Sequence, residues 1–205
     1  MDEYIRISQK SPELLQIWFW DESGFCLKPG RGKTWTKKGH RKKISGKRRQ
    51  GRINVMGGLR FSDKKHYVDF IKKGNSESFF SVLQGFYNHL KYEWAGIDKN
   101  PEDFDKSDHK IILILDNASI HKNKEFLEKI QKDMPNLVLE FLPEYSPDYN
   151  LIELVWHSAK EFISNRLFNS IEDIESLLNK LFNEGDLIIN WGRKIKNKGN
   201  LINAI

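Results

Sequence analysis

Ile111-Ile-Leu-Ile-Leu115, entered from Lys110 and closed by Asp116, is a run of five apolar residues with no polar alternation. A strand with one wet face alternates; a strand apolar at every position is buried on both faces and belongs to a parallel sheet covered by helices. The next residues agree. Lys122 to Lys132 reads as a helix, Leu137 to Phe141 as a strand, and a longer helix begins near Asn150 and runs to about Asn165. That order implies two parallel strands joined by a right-handed crossover. Upstream, Gln16 to Trp20 forms an apolar strand ending at Asp21, with Cys26 to Lys28 and Thr34 to Thr36 as weaker pieces. Arg52 to Arg60 and the edge piece His66 to Ile71 complete an antiparallel meander. A helix opens at Asn75 and carries Phe79, Phe80, Leu83, Phe86, Tyr87, Leu90 and Trp94 at helical spacing. The opening ten residues are polar, Ser11 to Leu15 is a short helical turn, and Ile97 to Lys110 is a polar loop. A last helix, Ile171 to Asn183, leads into a basic tail with Arg193, Lys194, Lys196 and Lys198.

A three-stranded antiparallel start followed by two parallel strands with interposed helices is the order of the ribonuclease-H-like fold. The expected class is therefore α/β, a mixed five-stranded sheet flanked by helices. With no repeat, low-complexity tract or internal boundary, residues 1–205 form one domain, and 39% hydrophobic with 12% aromatic residues suffices for its core. No apolar run approaches the roughly 18 residues of a membrane span. The N-terminus has neither the basic start nor the apolar stretch of a secretory signal, so a cytoplasmic protein, associated with the nucleoid, is expected. The single cysteine, Cys26, excludes an internal disulfide and a cysteine-rich zinc site, and the six histidines fall at no metal-finger spacing. Any metal must be held by carboxylates.

The net charge of +6 is concentrated in one place. Residues 30–52 hold Arg31, Lys33, Lys37, Lys38, Arg41, Lys42, Lys43, Lys47, Arg48, Arg49 and Arg52 and no acid, whereas the other 23 cations are outnumbered by 28 acids. Five glycines and Trp35 are interleaved, which suits an inserted arm that neutralises phosphates and stacks on a base or groove. The plainer reading is a solvated loop or a charged hairpin edge that blocks aggregation. Gly30-Arg-Gly-Lys-Thr34 looks like the tail of a phosphate-binding P-loop, but Leu27 stands where its first glycine belongs and no amphipathic helix follows.

In open sheets ligands gather at the carboxyl ends of parallel strands. Asp21 ends the first apolar strand and Asp116 ends the Ile111 to Leu115 strand, so two carboxylates meet at one sheet edge if those strands are neighbours. Side-by-side anions are costly to bury without a cation, which asks for a divalent metal with oxygen ligands. Glu153 is the third candidate. Its helix buries Ile152, Val155, Trp156, Ala159, Phe162 and Ile163, while Glu153, His157 and Lys160 share an adjacent face. Each has a bland alternative: a strand-end Asp is often a turn residue, Glu153 three residues after Asn150 fits a capping box, and His121 could be a core or surface histidine. Glu22 lies on the opposite strand face and reads as a bystander, with a ligand role left open.

Three blocks carry a resemblance. Trp18-Phe-Trp-Asp-Glu-Ser-Gly-Phe25, Leu115-Asp-Asn-Ala-Ser-Ile-His-Lys122 and Leu142-Pro-Glu-Tyr-Ser-Pro-Asp-Tyr-Asn-Leu-Ile-Glu-Leu-Val-Trp156 resemble the signature blocks of the mariner superfamily of DDE transposases, most closely its bacterial insertion-sequence branch. The third block is the most specific. The resemblance spans Ile17 to Leu167 and implies that Asp21, Asp116 and Glu153 are the catalytic, metal-binding triad. Asn117, His121, His157 and Lys160 are then auxiliary, with His121, His157 and Lys160 positioning phosphate or flanking DNA. It further implies two Mg2+ ions, with Mn2+ as substitute, in-line attack by water and later by a DNA 3'-hydroxyl, and no covalent protein–DNA intermediate. Cut-and-paste transposition of an insertion sequence on double-stranded DNA follows, by a homodimer whose 30–52 loop reaches the partner and its DNA.

Leu151 replaces the family's usual proline, and the Asp116 to Glu153 spacing is slightly longer than usual. Nothing before Gln16 is long enough for the family's helix-turn-helix modules, so a catalytic domain without them is expected, with the second product of a split reading frame and a decayed copy as open alternatives and a separate helix-turn-helix polypeptide as one partner option. The rival readings are another ribonuclease-H-like nuclease and a non-catalytic DNA-binding relic of a transposase.

Overall fold

Every residue from Ile111 to Leu115 is buried, as the unbroken apolar run requires. The computed structural model describes residues 2–11, 13–26, 35–40, 51–143, 149–164, 166, 168–189, 195–196 and 201–202. In chain order these are α1 (Asp2–Lys10), β1 (Leu15–Cys26), β2 (Arg52–Arg60), β3 (His66–Ile71), α2 (Ser76–Ala95), a 3-10 helix (Pro101–Lys106), β4 (Lys110–Leu115), a second 3-10 helix (Ser119–Lys122), α3 (Lys124–Asp133), β5 (Leu137–Phe141), α4 (Glu153–Ser164) and α5 (Ile171–Asn183). The two-residue strands β6 (Ile195–Lys196) and β7 (Leu201–Ile202) pair with each other.

The sheet order is β3-β2-β1-β4-β5. β1 pairs antiparallel with β2 from Trp18↔Arg60 to Cys26↔Arg52, and parallel with β4 from Leu15↔Lys110 to Phe19↔Ile114. β4 and β5 are parallel and β2 and β3 antiparallel. The mixed five-stranded sheet flanked by helices is thus the one expected. β1 differs in one respect: Asp21 does not end it. The parallel pairing stops at Phe19, but the antiparallel partner β2 continues, and its ladder carries β1 on to Cys26. Cys26 therefore belongs to this strand, Trp35 and Thr36 are in no strand, and Lys28 and Thr34 lie outside the described residues.

Strand alternation sorts the core into two layers. Ile17, Phe19, Ile112 and Ile114 face α4 and α5, meeting Val155, Trp156, Ala159, Ile174, Leu178 and Phe182. Trp18, Trp20, Ile111, Leu113 and Leu115 face α2, meeting Phe79, Leu83, Phe86 and Leu90. Each such side chain withdrawn from water contributes about 1.5–3 kcal/mol. α2 begins as read, with the Asn75 side chain accepting from the Ser78 N–H. Arg60 is buried against the Trp18 ring and bound to Asp63 at 2.6 Å and Glu93 at 3.0 Å, which fastens β2 to α2.

Two helical segments were not expected. α1 is polar except at Tyr4, Ile5 and Ile7, and among its described side chains Ile5 packs on the first layer while Ser8 is buried. The segment read as a polar loop contains the 3-10 helix at Pro101, capped by Asn100, because Phe104 is buried between Tyr87 and Trp94. On α4, Phe162 is exposed instead of buried, and Leu154 takes a buried place.

Candidate active site

Asp21 sits in β1 two residues past the last pair with β4, where the parallel neighbour has gone and the antiparallel one remains. Its cross-strand partner is Gly57, so no side chain crowds it from β2. Asp116 follows the last residue of β4, and its Oδ1 accepts from the Ala118 N–H at 3.0 Å, a local turn that holds the carboxylate at the strand end. Glu153 is the first residue of α4. The three are brought into one electrostatic field. Burial, then the charge of Glu153, then Glu22, with a smaller push from Asp116, raises the Asp21 carboxyl to about 8.

The capping box that is the bland alternative for Glu153 does not form, since, among the described residues, the side-chain oxygen of Asn150 accepts no hydrogen bond. Its side chain instead donates to the Trp20 carbonyl at 2.8 Å, directly before Asp21, and is 98% buried. This cross-link pins the start of α4, and so Glu153, to the strand that bears Asp21. The Asn117 amide donates to the Leu142 carbonyl, tying the end of β4 to the segment after β5.

His121 is 1% exposed, against the Phe79 ring at 4.7 Å, so it does not face solvent or a DNA surface. Its Nε2 stands 2.9 Å from Glu22 Oε1 and its Nδ1 3.0 Å from Asp116 Oδ1. Burial would push the imidazole pKa down, but the hydrogen bond and charge of Glu22, with the charge of Asp116, raise it overall. Glu22 is therefore engaged and not a bystander. Alternation put it on the face opposite Asp21; only the fold could reveal that His121 waits there.

Beside Glu22 is a cleft of about 650 Å³ lined also by Arg52, Asn54, Lys72, Lys73 and Lys160, among others, though by none of Asp21, Asp116 and Glu153. It opens at the exit of β1, the entry of β2 and the exit of β3, and four cations face one acid. A side chain at Gly24 would collide with the Arg52 guanidinium, so the glycine gives Arg52 its place across β1. Lys72 and Lys73 were missed in the sequence because they stand alone after an edge strand. Lys160 reaches the cleft two turns after Glu153; His157, one turn after it, is half-buried. Lys37 and Lys38 are exposed, whereas Arg31, Lys33, Arg41, Lys42, Lys43, Lys47, Arg48 and Arg49 lie outside the described residues.

Among the described residues no three acidic, histidine or cysteine groups stand close enough to form a ready metal cage. The donor chemistry nevertheless fits a hard divalent cation: all three candidates are carboxylates, and Asp21 ionises only against its anionic neighbours. A cation among them relieves that repulsion.

The fold and site define a class. The chain matches the family described as DDE superfamily endonuclease over residues 16–175, and belongs to it. Its fold is that of a mariner-type transposase catalytic domain. The pre-cleavage Mos1 transpososome superposes with a TM-score of 0.62 at 18% identity, over 89% of this chain and 52% of the Mos1 chain. The catalytic domain of Mos1 mariner transposase gives 0.55 at 18% identity, over 89% and 76%. The mariner Mos1 paired end complex with Mg gives 0.57 at 18% identity, over 90% and 54%. A protein of Sinorhizobium fredii (strain NBRC 101917 / NGR234), described as uncharacterized protein y4pE/y4sA, is 38% identical over 64 residues, which are 31% of this chain and 44% of that protein. The chain thus spans about half the length of the full Mos1 chains and less than half of the Sinorhizobium protein.

Proposed function

We propose that this chain is the catalytic domain of a transposase that cleaves DNA strands and joins them to a target, in cut-and-paste transposition of an insertion sequence. The observation that carries the proposal is Asp21: a carboxyl raised to about 8 among Glu153, Glu22 and Asp116, at the carboxyl end of the parallel strands and beside a cationic cleft. Asp21, Asp116 and Glu153 hold two divalent ions, Mg2+ or Mn2+, the metals of the Mos1 paired end complexes. When bound, such ions supply Lewis-acid charge at a scissile phosphate. Arg52, Lys72, Lys73 and Lys160 neutralise and align the phosphodiester backbone so that the scissile bond lies over the carboxylates. Asn150 and Gly57 keep Glu153 and Asp21 in place without touching DNA.

The partners that follow are double-stranded DNA, a second copy of the chain and a helix-turn-helix module carried elsewhere, at a cytoplasmic, nucleoid site of action. Among the described residues no helix is long and apolar enough to cross a membrane. Arg52, the last cation of the 30–52 segment, is one of the residues that line the cleft.

The test is a nicking assay on plasmid at low salt with Mg2+ or Mn2+, comparing the parent with Asp116→Ala. The parent nicks and the variant loses at least about 100-fold, a typical loss for a charge-stabilising group in a reaction centre. Equal activity in both sinks the assignment. DNA binding without metal-dependent cleavage in either would favour a binding relic, and preference for an RNA–DNA hybrid a different nuclease.

A further inference from the structure

Asp116 has an exposed carboxylate, with 48% of its side chain open to solvent, and an exposed carboxylate is free to rotate unless something fixes it. Two donors do so. One is the Ala118 N–H, from its own turn. The other is His121 Nδ1, which hydrogen-bonds the Asp116 carbonyl oxygen at 3.4 Å and stands 3.0 Å from Oδ1 as an ion-pair partner. That imidazole has no accessible side-chain surface and lies against the Phe79 ring, so no water can serve either nitrogen and ring orientation depends on its protein partners. On the far side the partner is Glu22, whose Oε1 is 2.9 Å from Nε2.

We propose that Glu22 is a positioning residue for Asp116, acting through the buried imidazole of His121. Glu22 is next to Asp21 in sequence but projects from the opposite face of β1, the face that packs on α2, where its Oε1 meets His121 Nε2. β1 then supplies both arms of the site: Asp21 directly, and through Glu22 and His121 the orientation of the carboxylate that follows β4. The inference rests on the metal reading above for its consequence, though the strut itself is a matter of hydrogen bonds. Partners of this kind, one shell removed from a metal, typically change affinity by about 10–100-fold.

The experiment uses the full chain with Glu22→Ala, Glu22→Gln, His121→Ala and the Glu22→Ala/His121→Ala double variant. Mn2+ affinity is measured by electron paramagnetic resonance, and amide exchange at Ala118 in metal-free protein, with the Leu113 amide as control for global unfolding. Glu22→Ala weakens Mn2+ about tenfold and speeds Ala118 exchange while Leu113 is unchanged. Glu22→Gln, which still accepts from Nε2, stays within about twofold of the parent. In the His121→Ala background Glu22→Ala adds nothing. Unchanged Ala118 exchange in Glu22→Ala, or a further tenfold Mn2+ loss in the double variant, overturns the proposal, the latter by making Glu22 a ligand in its own right. A parent chain that binds no Mn2+ strikes the metal reading, and Ala118 exchange still decides the strut.

Discussion

Asp21 stores unfavourable charge. A carboxyl with a higher pKa folded than unfolded favours the folded state below its unfolded value, near 4, and loses that advantage as pH climbs through about 8. The metal-free chain should therefore melt at lower temperature at pH 8 than at pH 5, in calorimetry with chelator present. Asp21→Asn removes the charge and keeps the shape; its Tm at pH 8 should rise by about 5 °C, equivalent to about 2 kcal/mol for a domain of this size. A Tm unchanged or lowered by the substitution would show that the carboxylates do not repel. Asp21 and Asp116 were legible because each closes an apolar run, and Glu153 because its helix returns to the same sheet edge. Glu22 and Asn150 were not: their partners His121 and Trp20 are 99 and 130 residues away, and nothing local marks the pairing.

β2 is built around a close approach. A Cβ at Gly57 would run into the Tyr67 carbonyl and the Val68 Cα of β3, and one at Gly58 into the Trp20 ring. Backbone cannot swing aside as a side chain can. Gly57→Ala should cost about 3 kcal/mol in urea unfolding, in the range of overpacked cores; a cost below about 1 kcal/mol would mean that β3 simply shifts outward. Helices α2 and α5 were readable because burial on a helix face writes a period into the sequence, and β4 because burial on both faces writes an unbroken apolar run. α1 and the 3-10 helix at Pro101 were not: among the described side chains each packs on the core through one apolar residue, Ile5 or Phe104, and one residue has no period. The full length of β1 was hidden for another reason: from Asp21 to Cys26 it is held by its ladder with β2 more than by its own composition.

Four cations, Arg52, Lys72, Lys73 and Lys160, line the cleft that Glu22 enters. Lys72→Ala/Lys73→Ala should weaken duplex DNA binding and make the log–log salt dependence shallower by roughly 1–2 charges, while Mn2+ affinity stays at the parent value. An unchanged salt slope would remove these lysines from the DNA path. This cleft was legible only in part. Arg52 and Lys160 were singled out from the sequence, but Lys72 and Lys73 joined them only when three strand ends met. The same topology sets the order in which the parts of the site are made. β1 pairs Leu15 with Lys110, and Glu153 enters from a helix encoded later still. Because closing so long a loop is slow, the meander of β1, β2 and β3 can form on the ribosome while the chain still lacks two of its three acids. A chain that stops before Asp116 therefore holds the meander and the basic segment but only one of the three candidate acids.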